Sequence, residues 1–377
     1  MEDINVDELL GVEEEVSANP DVSADAENYI MSEIASDDSS KKLEEGLAFW
    51  NRSCRDLYID FRQTSLEAND DEMCLKFDDT DFFPKPLYFK VNPEDPKNPL
   101  IIHAWKQFCK IVGIPVGFFM DARPALKKQI YDTWKATLSA DEKKATCIAR
   151  IRDSQDCAII RAIVPDNFSP LQNHEIINII NQSIDYKFFR LEDVKGDQRD
   201  DLILHARYVF GEIFQVAGQE ACLGFSVTAS ELGACPLNID SFLYLMESKT
   251  VFFATYGKES FFQTKYEGVQ PNELKELFPK LIERIESERD EIKERVEKTN
   301  KEVVPMDEAV KLRDYKKIPT KFKKSLFKEV AGCGDDMGTR LDFARHVGLI
   351  AKDFDVLKRI DIEKAAGKYL NLVFSKK

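Results

Sequence analysis

Residues 311–328 carry eight basic side chains, Lys311, Arg313, Lys316, Lys317, Lys321, Lys323, Lys324 and Lys328, against the single acid Asp314. Tyr315, Pro319, Phe322 and Phe327 interleave with them. A row of cations neutralises successive phosphates, and a base stacked on an aromatic ring is worth about 1–3 kcal/mol, so this composition suits sequence-tolerant contact with a single nucleic-acid strand. The same residues also read as a basic helix whose Phe322, Leu326 and Phe327 anchor in a core while its lysines are merely solvated.

A second basic set falls on a predicted hairpin. Residues 145–151 and 158–164 flank Asp153-Ser154-Gln155-Asp156, and pairing Asp153 with Asp156 sorts the side chains by parity. One face then collects Ala145, Cys147, Ala149, Ile151, Ala158, Ile160, Ala162 and Val164 and is expected to be buried. The other carries Arg150, Arg152 and Arg161, either in ion pairs or as a polyphosphate-facing surface.

Catalytic patterns are sparse. The four histidines, His103, His174, His205 and His346, form no H-x-x-H or H-E-x-x-H pair, and no G-x-S-x-G occurs. Gly332-Cys333-Gly334 lacks the Lys-Ser/Thr ending of a phosphate-binding loop. The eight cysteines are scattered without C-x-x-C and read as reduced, mostly buried thiols. Asp78, Asp79 and Asp81 have no partner carboxylates in view and read as a solvated loop before they read as a Mg²⁺ cluster. The expectation is no catalytic residue, no metal and no cofactor.

Charge is distributed unevenly. Residues 1–47 hold fifteen Asp and Glu against Lys41 and Lys42, so they supply 13 of the 15 net negative charges. The remaining 330 residues are close to neutral, and the low overall pI describes the tail rather than the body. The tail is expected to be disordered in isolation. It reads as a solubilising segment, a docking peptide for a viral or host protein, or an autoinhibitory arm. Its N-terminus is acidic where a targeting peptide needs Lys or Arg, and no apolar run is long enough for a bilayer, so a cytoplasmic protein without membrane contact is expected.

The elements that must position these groups are set by periodicity. Ile101, Trp105, Phe108 and Val112 mark one helix; Leu126, Ile130, Trp134 and Leu138 mark another as a core stripe, with Pro124 in its first turn. A helix is predicted over 171–184, then a loop through Asp200. Strands are predicted over 87–91, 202–210, 222–230, 239–246, 250–256 and 260–266, the one at 222–230 half-buried by its alternation. Beyond Pro271 the 3-4 spacing of Leu274, Phe278, Leu281, Ile285, Ile292 and Val296 predicts a long helix that Pro279 bends or begins. Further helices are expected over 341–349 and 356–370. The fold class expected is α+β, a mostly antiparallel sheet covered by helices, with a disordered tail (1–47), a core domain (48–270) and a helical C-terminal region (271–377).

Two stretches resemble a known family. Ala162-Ile163-Val164-Pro165-Asp166-Asn167-Phe168-Ser169-Pro170-Leu171-Gln172-Asn173-His174 resembles the strand, aromatic turn and capped helix of the phage- and plasmid-encoded family labelled phage/plasmid-like protein, whose function is unknown. Residues 224–233, with Ser230-Glu231-Leu232-Gly233, then Leu237-Asn238-Ile239, resemble its second hallmark. Ala229 and Thr255-Tyr256-Gly257 depart from its usual residues. The resemblance implies a viral or mobile-element origin and an α+β fold, and brings no catalytic residue. The Ser230–Gly233 stretch reads as a strand-ending turn or a binding loop. Together these readings lead to the expectation of a non-enzymatic phage replication or recombination accessory protein that binds single-stranded DNA, with strand annealing and homo-oligomer formation as further options. A scaffold acting through the acidic tail is the alternative.

Overall fold

The computed structural model describes residues 55–60, 62, 65–68, 87–90, 98–99, 101–138, 146–153, 158–168, 171–183, 188–191, 202–256, 260–264, 271–301, 320–324, 326 and 338–374. The acidic tail and Asp78, Asp79 and Asp81 lie outside them.

The first unit comprises β1 (Arg55–Asp60), β2 (Ser65–Ala68), β3 (Leu87–Lys90), β4 (Asn98–Pro99), α1 (Ile102–Val112), α2 (Val116–Asp121), α3 (Pro124–Ala136), β5 (Thr146–Asp153) and β6 (Ala158–Val164). Two small antiparallel sheets result, ordered β1-β5-β6 and β2-β3-β4. Gly113 ends α1 at φ +81°, a left-handed position that favours glycine. Trp105, Phe108, Phe119 and Tyr131 pack with Cys147, Ala149, Ile160 and Ile163 into one core. The stripe expected on α3 lies at the rim of this core instead: Leu126 is 40% exposed, and Tyr131 is the residue fully buried. The Tyr131 ring takes the inner position, 5.9 Å from Phe108.

The hairpin departs from the expected parity. Its ladder pairs Ile151 with Ile160 but Arg150 with Ala162, so Arg161 is an extra residue in a bulge. Parity inverts across it. Ile160 and Ile163 therefore share the face packed on α1, while Ala162 and Val164 face Leu232 on the other side. Both faces are buried, and no open arginine surface is formed by Arg150 or Arg161.

The second unit comprises α4 (Asn173–Ser183), β7 (Phe188–Leu191), β8 (Leu204–Phe210), β9 (Phe214–Val216), β10 (Gln219–Ala229), β11 (Leu237–Leu245), β12 (Thr250–Phe253), β13 (Thr255–Tyr256), β14 (Phe262–Thr264), α5 (Pro271–Asn300), α6 (Arg340–Ala351), α7 (Val356–Tyr369) and β15 (Val373–Phe374). Its antiparallel sheet runs β12-β11-β10-β8-β7, with β14 beside β11 and β9 beside β10. β7 lies in the stretch expected to be a loop. Four residues are too few for a period to stand out, and pairing with β8 makes the strand.

Leu223, Phe225, Val227 and Ala229 of β10 turn to the core shared with α4, α5, α6 and part of α7. The alternation predicted a solvated opposite face, but β10 is buried throughout from Ala221 onward. Helix α7 covers that second face through Ile360, which packs with Val209, Cys222, Phe242 and Phe253. Helix α5 is continuous from Pro271, so the exposed Pro279 is not its start. The α+β class is as expected, an antiparallel sheet covered by helices with a long helix and a helical C-terminal region. Among the described residues, no helix is long and apolar enough to cross a membrane.

Candidate functional site

The basic segment is described only in part. Residues 320–324 and 326 are helical, with Phe322 fully buried and Leu326 nearly so. Phe322 meets Phe354 edge-on at 5.8 Å, inside the main core. It is therefore an anchor and not a stacking platform for a base: a ring with no exposed face has none to offer. Lys321 and Lys324 are exposed, and Lys323 is half-buried. Lys311, Arg313, Tyr315, Lys316, Lys317 and Lys328 lie outside the described residues.

The hairpin arginines differ from the surface reading. Arg150 is 2% exposed and donates from Nη1 to Asp56 Oδ1 at 2.6 Å, Asp56 standing directly opposite it on β1. Arg161 is 3% exposed and lies 3.7 Å from Glu231. Burying a guanidinium requires a carboxylate nearby, and in both cases the sequence supplies one from a distant segment. Arg152 stands opposite Ile159 in the ladder; its side chain is outside the described residues. Arg150 and Arg161, being buried, do not form a second nucleic-acid surface with the lysine helix.

Ser230-Glu231-Leu232-Gly233 is a structural turn. Ser230 Oγ accepts from the backbone N–H groups of Leu232 and Ala234, and Gly233 adopts φ +73°. Gln107 donates from Nε2 to the Leu232 carbonyl at 2.8 Å and accepts from the Ile163 N–H, and His103 Nε2 is 3.0 Å from the same carbonyl. Glu231 accepts from the Asn173 N–H at the start of α4. The turn thus ends β10 and ties the hairpin unit to the large sheet.

The densest convergence of ionisable groups is one that motif reading missed. Across neighbouring strands, His205 lies opposite Thr228 and Thr228 opposite Asn238; Arg207 lies opposite Ser226 and Ser226 opposite Asp240. Helix α7 sets Arg359, Glu363 and Lys364 over these rows. Glu363, 1% exposed, accepts from Arg207 Nη2 at 2.5 Å and from Arg359 Nε at 2.9 Å. Lys364 Nζ lies 2.7 Å from Asp240 and donates to Ser260. Polar residues recurring at i and i+2 in three successive strands were the available signal, since a buried sheet face ordinarily carries apolar residues there.

His205 sits between two partners. Arg207 Nε donates to its Nε2 at 2.9 Å, which places the ring proton on Nδ1, donating to Thr228 Oγ1 at 2.8 Å. Burial first, then the Arg207, Arg359 and Lys364 cations, hold its pKa well below 6.5. With its lone pair engaged by Arg207, the ring serves as framework and has no open acceptor for a substrate proton. In the unfolded chain the ring protonates near pH 6.5, whereas in the fold it stays neutral, so stability is fully present above that pH and declines as pH falls below it. The expected slope is up to about 1.4 kcal/mol per pH unit from this group, read as the difference in urea midpoint between wild type and His205→Gln from pH 7 to pH 5.

Burial acts on thiols in the opposite direction, disfavouring the thiolate. Burial pushes Cys109 up to about 11 and Cys222 up to about 12. Among the described residues no three His, Cys, Asp or Glu side chains are grouped to hold a metal ion. No protein-family model, curated protein or solved structure matches the chain. The geometry defines an α+β protein whose converging charges hold α7 to the sheet and whose helical turn around Phe322 presents exposed cations.

Proposed function

We propose that the chain is a non-catalytic accessory protein of phage DNA replication or recombination that binds single-stranded DNA. The observation that carries this reading is the helical placement of residues 320–324 and 326. Phe322 and Leu326 root this stretch in the core while Lys321 and Lys324 stand exposed, within a segment of eight bases and one acid. A cation row fixed to a rigid body loses less freedom on meeting phosphates than one on an unanchored chain. The phage setting rests on the two sequence stretches that resemble the phage- and plasmid-encoded family. The acidic residues 1–47 act as an intramolecular competitor for the cations.

Anisotropy of a labelled single-stranded oligonucleotide tests this. Full-length protein is expected to bind at low ionic strength, and removal of residues 1–47 to tighten binding. Lys321→Glu with Lys324→Glu is expected to weaken it about tenfold or more and to flatten the log–log salt slope by about 1.4, from the loss of two single-strand phosphate contacts. Absence of binding by both the full chain and the truncated one at low salt overturns the proposal. Loss of a co-purifying protein on truncation, with no gain in DNA affinity, favours the scaffold reading, which rests on the charge concentrated in those 47 residues.

A further inference from the structure

Arg207 and Arg150 are both almost wholly buried, and the fold treats them differently. Arg207, 1% exposed, has Nε engaged by His205 and Nη2 by Glu363. Arg150, 2% exposed, has Nη1 on Asp56, but its Nε and Nη2 are buried without any hydrogen-bond partner among the described residues. Those two N–H groups lie along one edge of the planar guanidinium, the edge that grips a carboxylate or phosphate through two parallel bonds. In Arg207 the equivalent edge is paired; in Arg150 it is not.

The difference is not neutral, because buried donors on a charged group are expensive to leave unmet. Nothing described on the same face supplies the acceptor: Ile148, Ala162, Val164 and Leu232 are all apolar. Ala162, directly across the ladder, has a short apolar side chain that offers the edge no acceptor. The bulged Arg161 adds a second guanidinium to this end of the hairpin, offset by Glu231. Asp56, half exposed, occupies only Nη1. The arrangement is apolar, cationic and matched to a two-oxygen acceptor.

We propose that the Nε and Nη2 edge of Arg150 is a receptor for one small oxyanion, a phosphoryl or carboxylate group. At 2% exposure the side chain cannot lie along a polynucleotide backbone, so this site is separate from the lysine helix.

The test uses the full-length protein, with thermal unfolding followed against inorganic phosphate, acetate and chloride at matched ionic strength. A saturable rise in melting temperature with phosphate beyond that with chloride supports a phosphoryl ligand; the same rise with acetate alone supports a carboxylate ligand at the same edge. Arg150→Lys, which keeps the charge and loses the fork, is expected to weaken binding of the effective anion about tenfold. Asp56→Asn removes a half-exposed neighbouring anion and is expected to tighten it several-fold, a gain that a purely structural arginine does not produce. Curves identical to chloride for both wild type and Asp56→Asn overturn the proposal, as does unaltered anion binding in a folded Arg150→Lys variant. Oligonucleotide affinity is expected to be unchanged in Arg150→Lys, so the two proposals fail independently.

Discussion

Glu363→Ala is expected to destabilise the protein by about 3–5 kcal/mol, read as a large drop in urea midpoint at pH 7, because it breaks a fully buried ion pair with Arg207 from one side. Glu363 is the shared acceptor of two guanidinium groups, those of Arg207 and Arg359. Breaking one partner of a buried ion pair is worse than never having built it. That asymmetry sets the control. The double variant Arg207→Met with Glu363→Leu removes both charges, and is expected to recover most of the loss. If the single and double variants are equally unstable, packing of α7 and not the broken ion pair sets the effect. Arg359, 13% exposed, keeps access to water, so Arg359→Ala is expected to be much milder.

Gly367→Ala is expected to be nearly as damaging, by about 3 kcal/mol or more, through overpacking against backbone. A Cβ at Gly367 would come within 2.0 Å of the Phe253 carbonyl oxygen and 2.9 Å of its carbon. Neither atom can swing aside as a side-chain tip does, so α7 must lift from β12. Lifting it also strains the adjoining C-terminal segment, where Leu372 accepts from the Thr255 N–H and β15 pairs with β13. Gly117→Ala is the matched control, since nothing lies within 4 Å of its Cβ position in helix α2. It is expected to leave stability unchanged or raise it by about 0.5–1 kcal/mol. Equal melting temperatures for the two alanine variants would refute the close approach of α7 to the sheet.

Much of the framework was legible because it depends on local period. The 3-4 spacing of Leu274, Phe278, Leu281 and Ile285 and the alternation in β10 correspond to the sides these residues bury. What alternation cannot say is whether the second side of a strand meets water or a helix arriving from far along the chain. Ser226 and Thr228 look like a solvated face until α7 is brought over them. The Arg207–Glu363 pair joins residues 156 apart, and no local pattern announces it. Arg150 and Arg161 were found by residue type with two readings open, and the ion pairs that the fold builds use carboxylates from distant segments that no local pattern names. In the basic segment the two readings of Phe322 were both open, and packing against Phe354 decided between them.

The bulge at Arg161 bears on which sequence changes this hairpin survives. It acts as a one-residue phase step: Ile160 before it and Ile163 after it reach the same core only because one residue is left unpaired. Deleting that residue, or inserting another beside it, exchanges the two faces of the rest of β6, sending Ala162 and Val164 toward the aromatic core and Ile163 toward Leu232. Substitutions at the same place alter one contact each. β6 is therefore more sensitive to a change of length than to a change of any one residue, a frame constraint imposed by geometry and not by any single side chain.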